Sequence, residues 1–525
     1  MSMFLSTKSF RLVFSVSLFL SLLWPAYGAV TLPSLLSDYM VLQQGQPVHI
    51  WGKADRGEDV TVRLLNQVQT TVADEAGHWE VWLQPVKKTT KPVTMTVTGG
   101  GVETGPQAGI GAKDGSNTVV VKNILVGEVW LAAGQSNMEY SVRLSHNAEQ
   151  EIAQADYPKL RFFDAQRSFS DTAKADIAGR WVLCSPETVA EMTATGYAFA
   201  RGLHQHLNVP VGLIDVSWGA TRCEAWTPAS VFEADPRLSF WTTKWEQHLR
   251  DFPRLQAAYL QQQETWKVAA EKARLAGETP PRAPKAPELK TKFEPSVIYN
   301  GIVAPLSRYT IKGVVWYQGE NNAYKEEAFP YRYLFPAMID AWRQAWKQGD
   351  FPFLFAQLST LNKHPYWPVL RESQVEALKL KHTAMVVTYD VGDSTDAHFK
   401  LKQVVGKRFE LAARRLVYGE KVEASGPQFR QFTVEGQHLR VWFDHADGLK
   451  SSDGKALVGF EVAGPDGRLY PATATIDGET VLLRHVKVPH PCTARFAFKD
   501  AIIGNLINRY GLPAVPFRTD VKNGL

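Results

Sequence analysis

The sequence predicts an α/β protein: a parallel sheet whose strand ends carry the chemistry, flanked by an N-terminal and a C-terminal β region. Three observations predict it. First, an apolar run, Ile124–Ala133, delivers Ser136 into a polar segment that reads as the start of a helix. Second, three further apolar strands end in chemically loaded turns at Gly219, at Gln318-Gly-Glu-Asn321 and before His398. This repetition matches a sheet whose ligand site lies beyond the carboxyl ends of its strands. Third, β-like runs separated by Gly, Pro and Asp flank this region, at Val48–Trp51, Asp59–Leu65, Trp79–Leu83 and Val93–Val97 before it and at Leu439–Phe443, Leu457–Val462, Thr480–Leu483 and Ala494–Phe498 after it. The expected organisation is a signal segment at 1–28, a sandwich-like β domain at 29–116, a catalytic domain at 117–419 and a C-terminal β domain at 420–525.

The N-terminal segment comes first. Lys8 and Arg11 precede the apolar run Leu12–Trp24, and Ala26-Tyr-Gly28 supplies small residues for cleavage. The run falls short of the roughly 20 residues that span a bilayer. Cys184 is the first cysteine, so no lipid-anchoring thiol follows the cleavage site. The expectation is an exported protein, periplasmic or secreted, with no stable membrane anchor. Removing residues 1–28 takes away two basic and no acidic residues, and the formal balance falls from +5 to +3. Basic residues are dispersed, which excludes nucleic acid as a partner. Cys184, Cys223 and Cys492 are too few for a disulfide scaffold. A Cys184–Cys223 bridge and a pair of buried thiols both remain open.

Within the central region, Ser136 is the candidate nucleophile, because a hydroxyl at a helix N-terminus attacks beside N–H groups that can receive negative charge. A serine needs a base. His398 closes Thr388-Tyr-Asp-Val-Gly-Asp-Ser-Thr-Asp-Ala-His398 and precedes an amphipathic helix with Leu401, Val404, Val405 and Phe409 on one face. Asp390, Asp393 and Asp396 all lie within eight residues of it. His204 and His206, two apart on a helix, do not share a face and make no metal pair. Metal-ligand and nucleotide-binding spacings are absent, and no cofactor is implied. Asp215-Val-Ser-Trp-Gly219 resembles a nucleophile elbow lacking its first glycine, so Ser217 is read as structural. The glycine-rich stretch Gly99–Gly115 reads as a loop.

Phe232–Phe293 interrupts the strand and helix rhythm with a charged helical segment, Trp245–Ala276, and a Pro-rich tail, Thr279–Pro287. It reads as an insertion, either a lid or a surface excursion. Among sixteen tryptophans, Trp218 is singled out with Tyr317 for sugar contact, because both adjoin the chemical blocks and aromatic faces stack on sugar rings.

The blocks Gly134-Gln-Ser136-Asn-Met-Glu, Ser217-Trp-Gly219-Ala-Thr, Tyr317-Gln-Gly-Glu320-Asn and Asp396-Ala-His398 resemble, in this order, the SGNH hydrolase superfamily and within it the sialate O-acetylesterase family. Leu35-Leu-Ser-Asp-Tyr-Met-Val-Leu-Gln-Gln and Asn505–Asp520 resemble the same family. The resemblance implies a three-layer α/β/α domain with accessory β domains. It implies hydrolysis of O-acetyl groups on sugars, most directly O-acetylated sialic acid, with acetylated xyloglucan or xylan as the alternative. A non-catalytic carbohydrate-binding protein is the competing class. Carried over by position, Ser136 is nucleophile and His398 base, with the N–H groups of Ser136 and Gly219 in the oxyanion hole. Gln318 and Asn321 both fit the third donor. The superfamily's acid position, three before the histidine, is Thr395 here; Asp396 is the nearest carboxylate, with Asp393 or no acid as the other readings.

Overall fold

A computed structural model describes residues 30–100, 117–501 and 504–520. The signal segment expected at 1–28 lies outside them, and so does the glycine-rich loop beyond Gly100. The chain is a mixed α/β protein organised around a large mixed sheet. Its central path runs Thr383–Val386, Phe353–Ala356, Gly313–Tyr317, Asn117–Gly134, Val211–Asp215, Tyr157–Ala165 and Gly179–Cys184. Every neighbouring pair is parallel except the last. Parallel strands need crossover segments that cover both faces, and the alternation of side chains shows two such faces. Trp130, Ala132, Val315 and Leu354 pack with Phe199, Leu203, Val405 and Phe409. Their sequence neighbours Leu131, Ala133, Val314 and Phe353 face the other way, onto Leu334, Phe335, Met338 and Trp342. The sheet is therefore sandwiched between the helices Ala194–Leu207 and Lys402–Leu416 on one side and Tyr331–Trp346 on the other.

The strand Asn117–Gly134 is 18 residues long and serves more than one sheet neighbourhood. Its first part pairs antiparallel with Val93–Gly100, its middle with Val41–Gln43, and its last part with the two central strands beside it. In the N-terminal region, Val48–Lys53 pairs with His78–Leu83, and Asp59–Leu64 with Gln67–Val72 and Val93–Gly100. These two layers bury Ile50, Val81, Val62 and Val97 together. At the C-terminus, Gln428–Glu435, His438–Asp444, Thr480–Arg484 and Thr473–Asp477 form one sheet, and a second is built on Phe460–Ala463 and Thr493–Phe496. Phe443, Phe496 and Phe517 pack between them.

Two local expectations need adjustment. The helix expected to carry Leu401 begins at Lys402, and Leu401 is exposed at its N-cap. Cys184 and Cys223 are buried thiols and Cys492 is an exposed one, so the bridge is not formed. The charged insertion contains a helix, Ser239–Leu275, of which only Trp241 and Ala270 are buried. Among the described residues, no helix is long and apolar enough to cross a membrane.

Candidate active site

The turn into Ser136 is fixed by backbone that only glycine can adopt. Gly134 sits at φ +132°, and a Cβ there would come within 2.2 Å of the Tyr317 carbonyl oxygen. That same carbonyl accepts the Gln135 N–H at 2.9 Å, clamping the end of one central strand to the next. The chain then turns into the short helix Ser136–Glu139, where Ser136 occupies the first position. Its Oγ lies 2.9 Å from His398 Nε2. Serine and histidine are 262 residues apart in sequence and in hydrogen-bond contact in space.

The aspartates before His398 have separate tasks. Arg408 donates to both oxygens of Asp390, at 2.7 and 2.6 Å. Asp393 accepts the Thr395 N–H and hydroxyl, closing a turn of its own. Asp396 Oδ1 accepts the backbone N–H of His398 at 2.8 Å and stands 3.8 Å from the ring nitrogen Nδ1. Of the three, Asp396 is the carboxylate beside the imidazole, at a separation too long for a hydrogen bond. Tyr140 stacks on the ring, with centroids 6.3 Å apart.

The expected oxyanion donors fare differently. A Cβ on Gly219 would lie 3.5 Å from Ser136 Cβ, so this glycine does border Ser136. Its N–H, however, donates to Glu139 Oε2 at 2.5 Å, and the other Glu139 oxygen pairs with Arg167. A carboxylate thus rests where substrate oxygen was expected. Gln318 is fully buried: its amide donates to Asn322 Oδ1 at 2.7 Å and its oxygen accepts from Tyr331. Asn321 is partly exposed and donates to the Ala220 carbonyl at 2.5 Å. Both amides thus spend these hydrogen bonds away from Ser136.

Of the two expected sugar contacts, Tyr317 is corrected by its burial. It is 0 % exposed, and its hydroxyl lies 3.4 Å from Thr388 Oγ1, leaving no face for a ligand. Trp218 is partly exposed and stacks on Phe169. Lys292, from the end of the insertion, donates to the Gly219 carbonyl at 2.6 Å and lies 5.3 Å over the Trp218 ring. The insertion therefore reaches the site, which composition alone did not reveal. Ser217 donates to Asp215 Oδ1, consistent with a structural hydroxyl. Burial pushes Asp215 up to about 6.

Ser136, His398, Asp396, Glu139, Tyr140 and Asp215 line one cleft of about 1170 Å³, together with Arg167 and Arg180. This exceeds the volume typical of a site for a single small molecule. His204 bonds the Val209 carbonyl and His206 pairs with Glu420, so the two histidines do not act together. No metal-holding group of three or more His, Cys, Asp or Glu side chains occurs among the described residues.

A family model for carbohydrate esterase, sialic acid-specific acetylesterase, matches residues 126–250 and 290–414. A sialate O-acetylesterase of Rattus norvegicus is 30% identical over 465 residues, covering 81% of each chain. The chain belongs to the sialate O-acetylesterase family. A further member, from Mus musculus, is 28% identical over 93% of this chain and 94% of its own. Among solved structures, a carbohydrate acetylesterase from Xanthomonas citri superposes with a TM-score of 0.78 at 32% identity, covering 94% of this chain and all of that one. Membership in the family makes the chain a carbohydrate esterase by descent. The family match lapses over 251–289, where the exposed helix and its Pro-rich tail lie.

Proposed function

We propose that this chain is an exported serine esterase that removes O-acetyl groups from carbohydrate through an acetyl-serine intermediate, with O-acetylated sialic acid as the first substrate to test. The observation that carries the reading is the 2.9 Å contact between Ser136 Oγ and His398 Nε2 in the wall of an open cleft. In this scheme His398 takes the Ser136 proton as Oγ attacks the acetyl carbonyl. The resulting oxyanion is held by the N–H groups of Ser136 and Gly219. Collapse breaks the bond to the sugar oxygen, which takes the proton from His398 and leaves as a hydroxyl. Water, deprotonated by His398, then releases acetate and restores the serine. Asp396 is assigned to orient the imidazole, and Trp218 to border the sugar. Because Glu139 accepts the Gly219 N–H, substrate must displace that carboxylate before the donor can serve. Residues 1–28 are proposed to direct export.

The test is acetate release from O-acetylated sialic acid set beside acetylated xyloglucan and xylan, using the wild type and Ser136→Ala. Release from sialic acid that disappears in Ser136→Ala supports the reading. Preference for the hemicelluloses moves the substrate while keeping the mechanism. Binding without release in the wild type would replace the enzyme with a carbohydrate-binding protein.

A further inference from the structure

Behind the serine and histidine lies a buried polar chain that the scheme above leaves unused. Asn137 directly follows Ser136 and is itself buried. Its side-chain nitrogen donates to Glu320 Oε1 and, at 3.0 Å, to the carbonyl of Ala397. Its side-chain oxygen accepts from Lys402 Nζ. The Ala397 contact matters because the next residue is His398. One amide therefore links the nucleophile turn to the peptide that carries the base.

An amide can sit in either of two orientations. Flipping this one would turn its oxygen onto the Ala397 carbonyl and the Glu320 carboxylate, acceptor against acceptor. A protonated lysine donates and never accepts, while an ionised carboxylate only accepts. Lys402 and Glu320, one at each end, therefore permit a single orientation. Both sit in surroundings that penalise their charge. Lys402 is 0 % exposed, with its nitrogen 3.8 Å from the centre of the Phe399 ring, 5.0 Å from Tyr140 and 5.6 Å from Tyr317. The second Glu320 oxygen is buried without a hydrogen-bond partner. Burial pulls Lys402 down to about 7 and pushes Glu320 up. A buried charged pair of this kind is weak support for a fold, since apolar residues of similar volume are often as stable or more so.

We propose that Glu320, Asn137 and Lys402 form a positioning relay that holds His398 against Ser136. The relay rests on the serine-esterase reading given above. It touches no substrate; it sets the orientation of one amide, and that amide fixes the base loop. A misplacement of about 1 Å in such a pair is enough to cost on the order of 10²-fold in rate.

The test measures kcat and KM on a chromogenic acetate ester, with thermal unfolding in parallel, for Asn137→Ala, Lys402→Met, their double variant, Glu320→Ala and Glu320→Gln. Asn137→Ala and Lys402→Met are each expected to lower kcat about 10²-fold, with KM changed by less than about twofold and Tm held or raised for Lys402→Met. The double variant should lose no more than the worse single, because both act through one amide. Glu320→Gln, which keeps an acceptor oxygen, should recover most of what Glu320→Ala loses. The rate at which an organophosphate modifies Ser136 should fall in step with kcat. Additive losses, a rise in KM at constant kcat, or folded Lys402→Met with wild-type turnover would each overturn the relay. If Asn137→Ala does not fold, Lys402→Met and the Glu320 pair carry the same decision. A dead Ser136→Ala beside a fully active Lys402→Met sinks the relay alone, whereas an active Ser136→Ala sinks the esterase reading beneath it.

Discussion

The two segments that bring serine and histidine together are built in opposite ways. The serine turn, Gly134 to Met138, lies at the end of a central strand, with Gln135, Asn137 and Met138 buried and Gly134 pressed against its neighbour strand. The base loop from Asp390 to His398 is largely exposed and is shaped by short-range turns, through Asp393 to Thr395 and Asp396 to His398. Beside the His398 contact with Ser136, its backbone is tied to the serine side by the Asn137 bond to the Ala397 carbonyl. The serine is placed by the sheet, and the histidine by short turns pinned from outside at Asp390, Ser394 and Ala397. Damage to the glycine backbone of the first, at Gly134, should therefore appear in stability, and damage to the second in turnover.

The largest expected effect tests whether the two segments act as one unit. Ser136→Ala and His398→Ala should each remove on the order of 10⁶ in kcat and be no worse in combination, with far-UV circular dichroism unchanged. Independent, additive losses would separate the segments.

Next in size is the third oxyanion donor, where the contrast between a buried and a partly exposed amide becomes a measurement. Asn321→Ala should cost about 10²–10³ in kcat if its amide swings from the Ala220 carbonyl to the oxyanion. Gln318→Ala, which takes from the Tyr331 hydroxyl its buried acceptor and from Asn322 Oδ1 one of its two donors, should instead lower Tm by the equivalent of about 1–3 kcal/mol. The opposite pattern would return the role to Gln318.

Smaller again is the effect of the acid. Asp396 is more than half exposed and 3.8 Å from the ring nitrogen, so Asp396→Asn is expected to fall well short of the roughly 10⁴-fold loss seen when an aligned, buried acid is neutralised. Asp393→Asn should leave turnover nearly unchanged. Should Asp393→Asn prove the damaging change, the loop rearranges when substrate binds.

The smallest effect is one of pH on stability. Burial first, opposed by Glu320 and Asp396, brings Lys402 from the ordinary lysine range of 10.5 to about 7. The unfolded chain then holds the extra proton between those values, and stability contributed at this position rises with pH across that window. Thermal unfolding of wild type and Lys402→Met at pH 6 and pH 9 should show the wild type gaining relative to the variant at the higher pH. An identical difference at both pH values would mean Lys402 keeps its proton throughout.

Much of this site was legible because its residues sit at the ends of buried apolar strands, where a run of Val, Leu and Trp stops at Gly, Ser or Gln. Ser136, Gly219 and the turn after Tyr317 all carry that signature. Tyr317 was misread because period-two alternation sends it into the core shared with Val315, not toward solvent. Lys402 was invisible for the reverse reason. A lysine on an amphipathic helix reads as solvated, and only tertiary contact with Asn137 and three aromatic rings gives it a buried place. The contact between Glu139 and the Gly219 N–H joins elements 80 residues apart and has no local pattern.

The 18-residue strand that ends at Ser136's doorstep carries one last consequence, for anyone shortening this chain. Extended at about 3.3 Å per residue, it reaches roughly 60 Å, and its first third is paired with Val93–Gly100. Cutting the chain at residue 116 would strip that partner away and leave Asn117–Ile124 as a bare ribbon of unpaired N–H and C=O groups. Such a ribbon is an invitation to other copies of itself. A truncated product is therefore expected to precipitate or form fibrous aggregates before its catalytic competence can be read, whereas a cut that keeps residues 30–100 should stay dispersed.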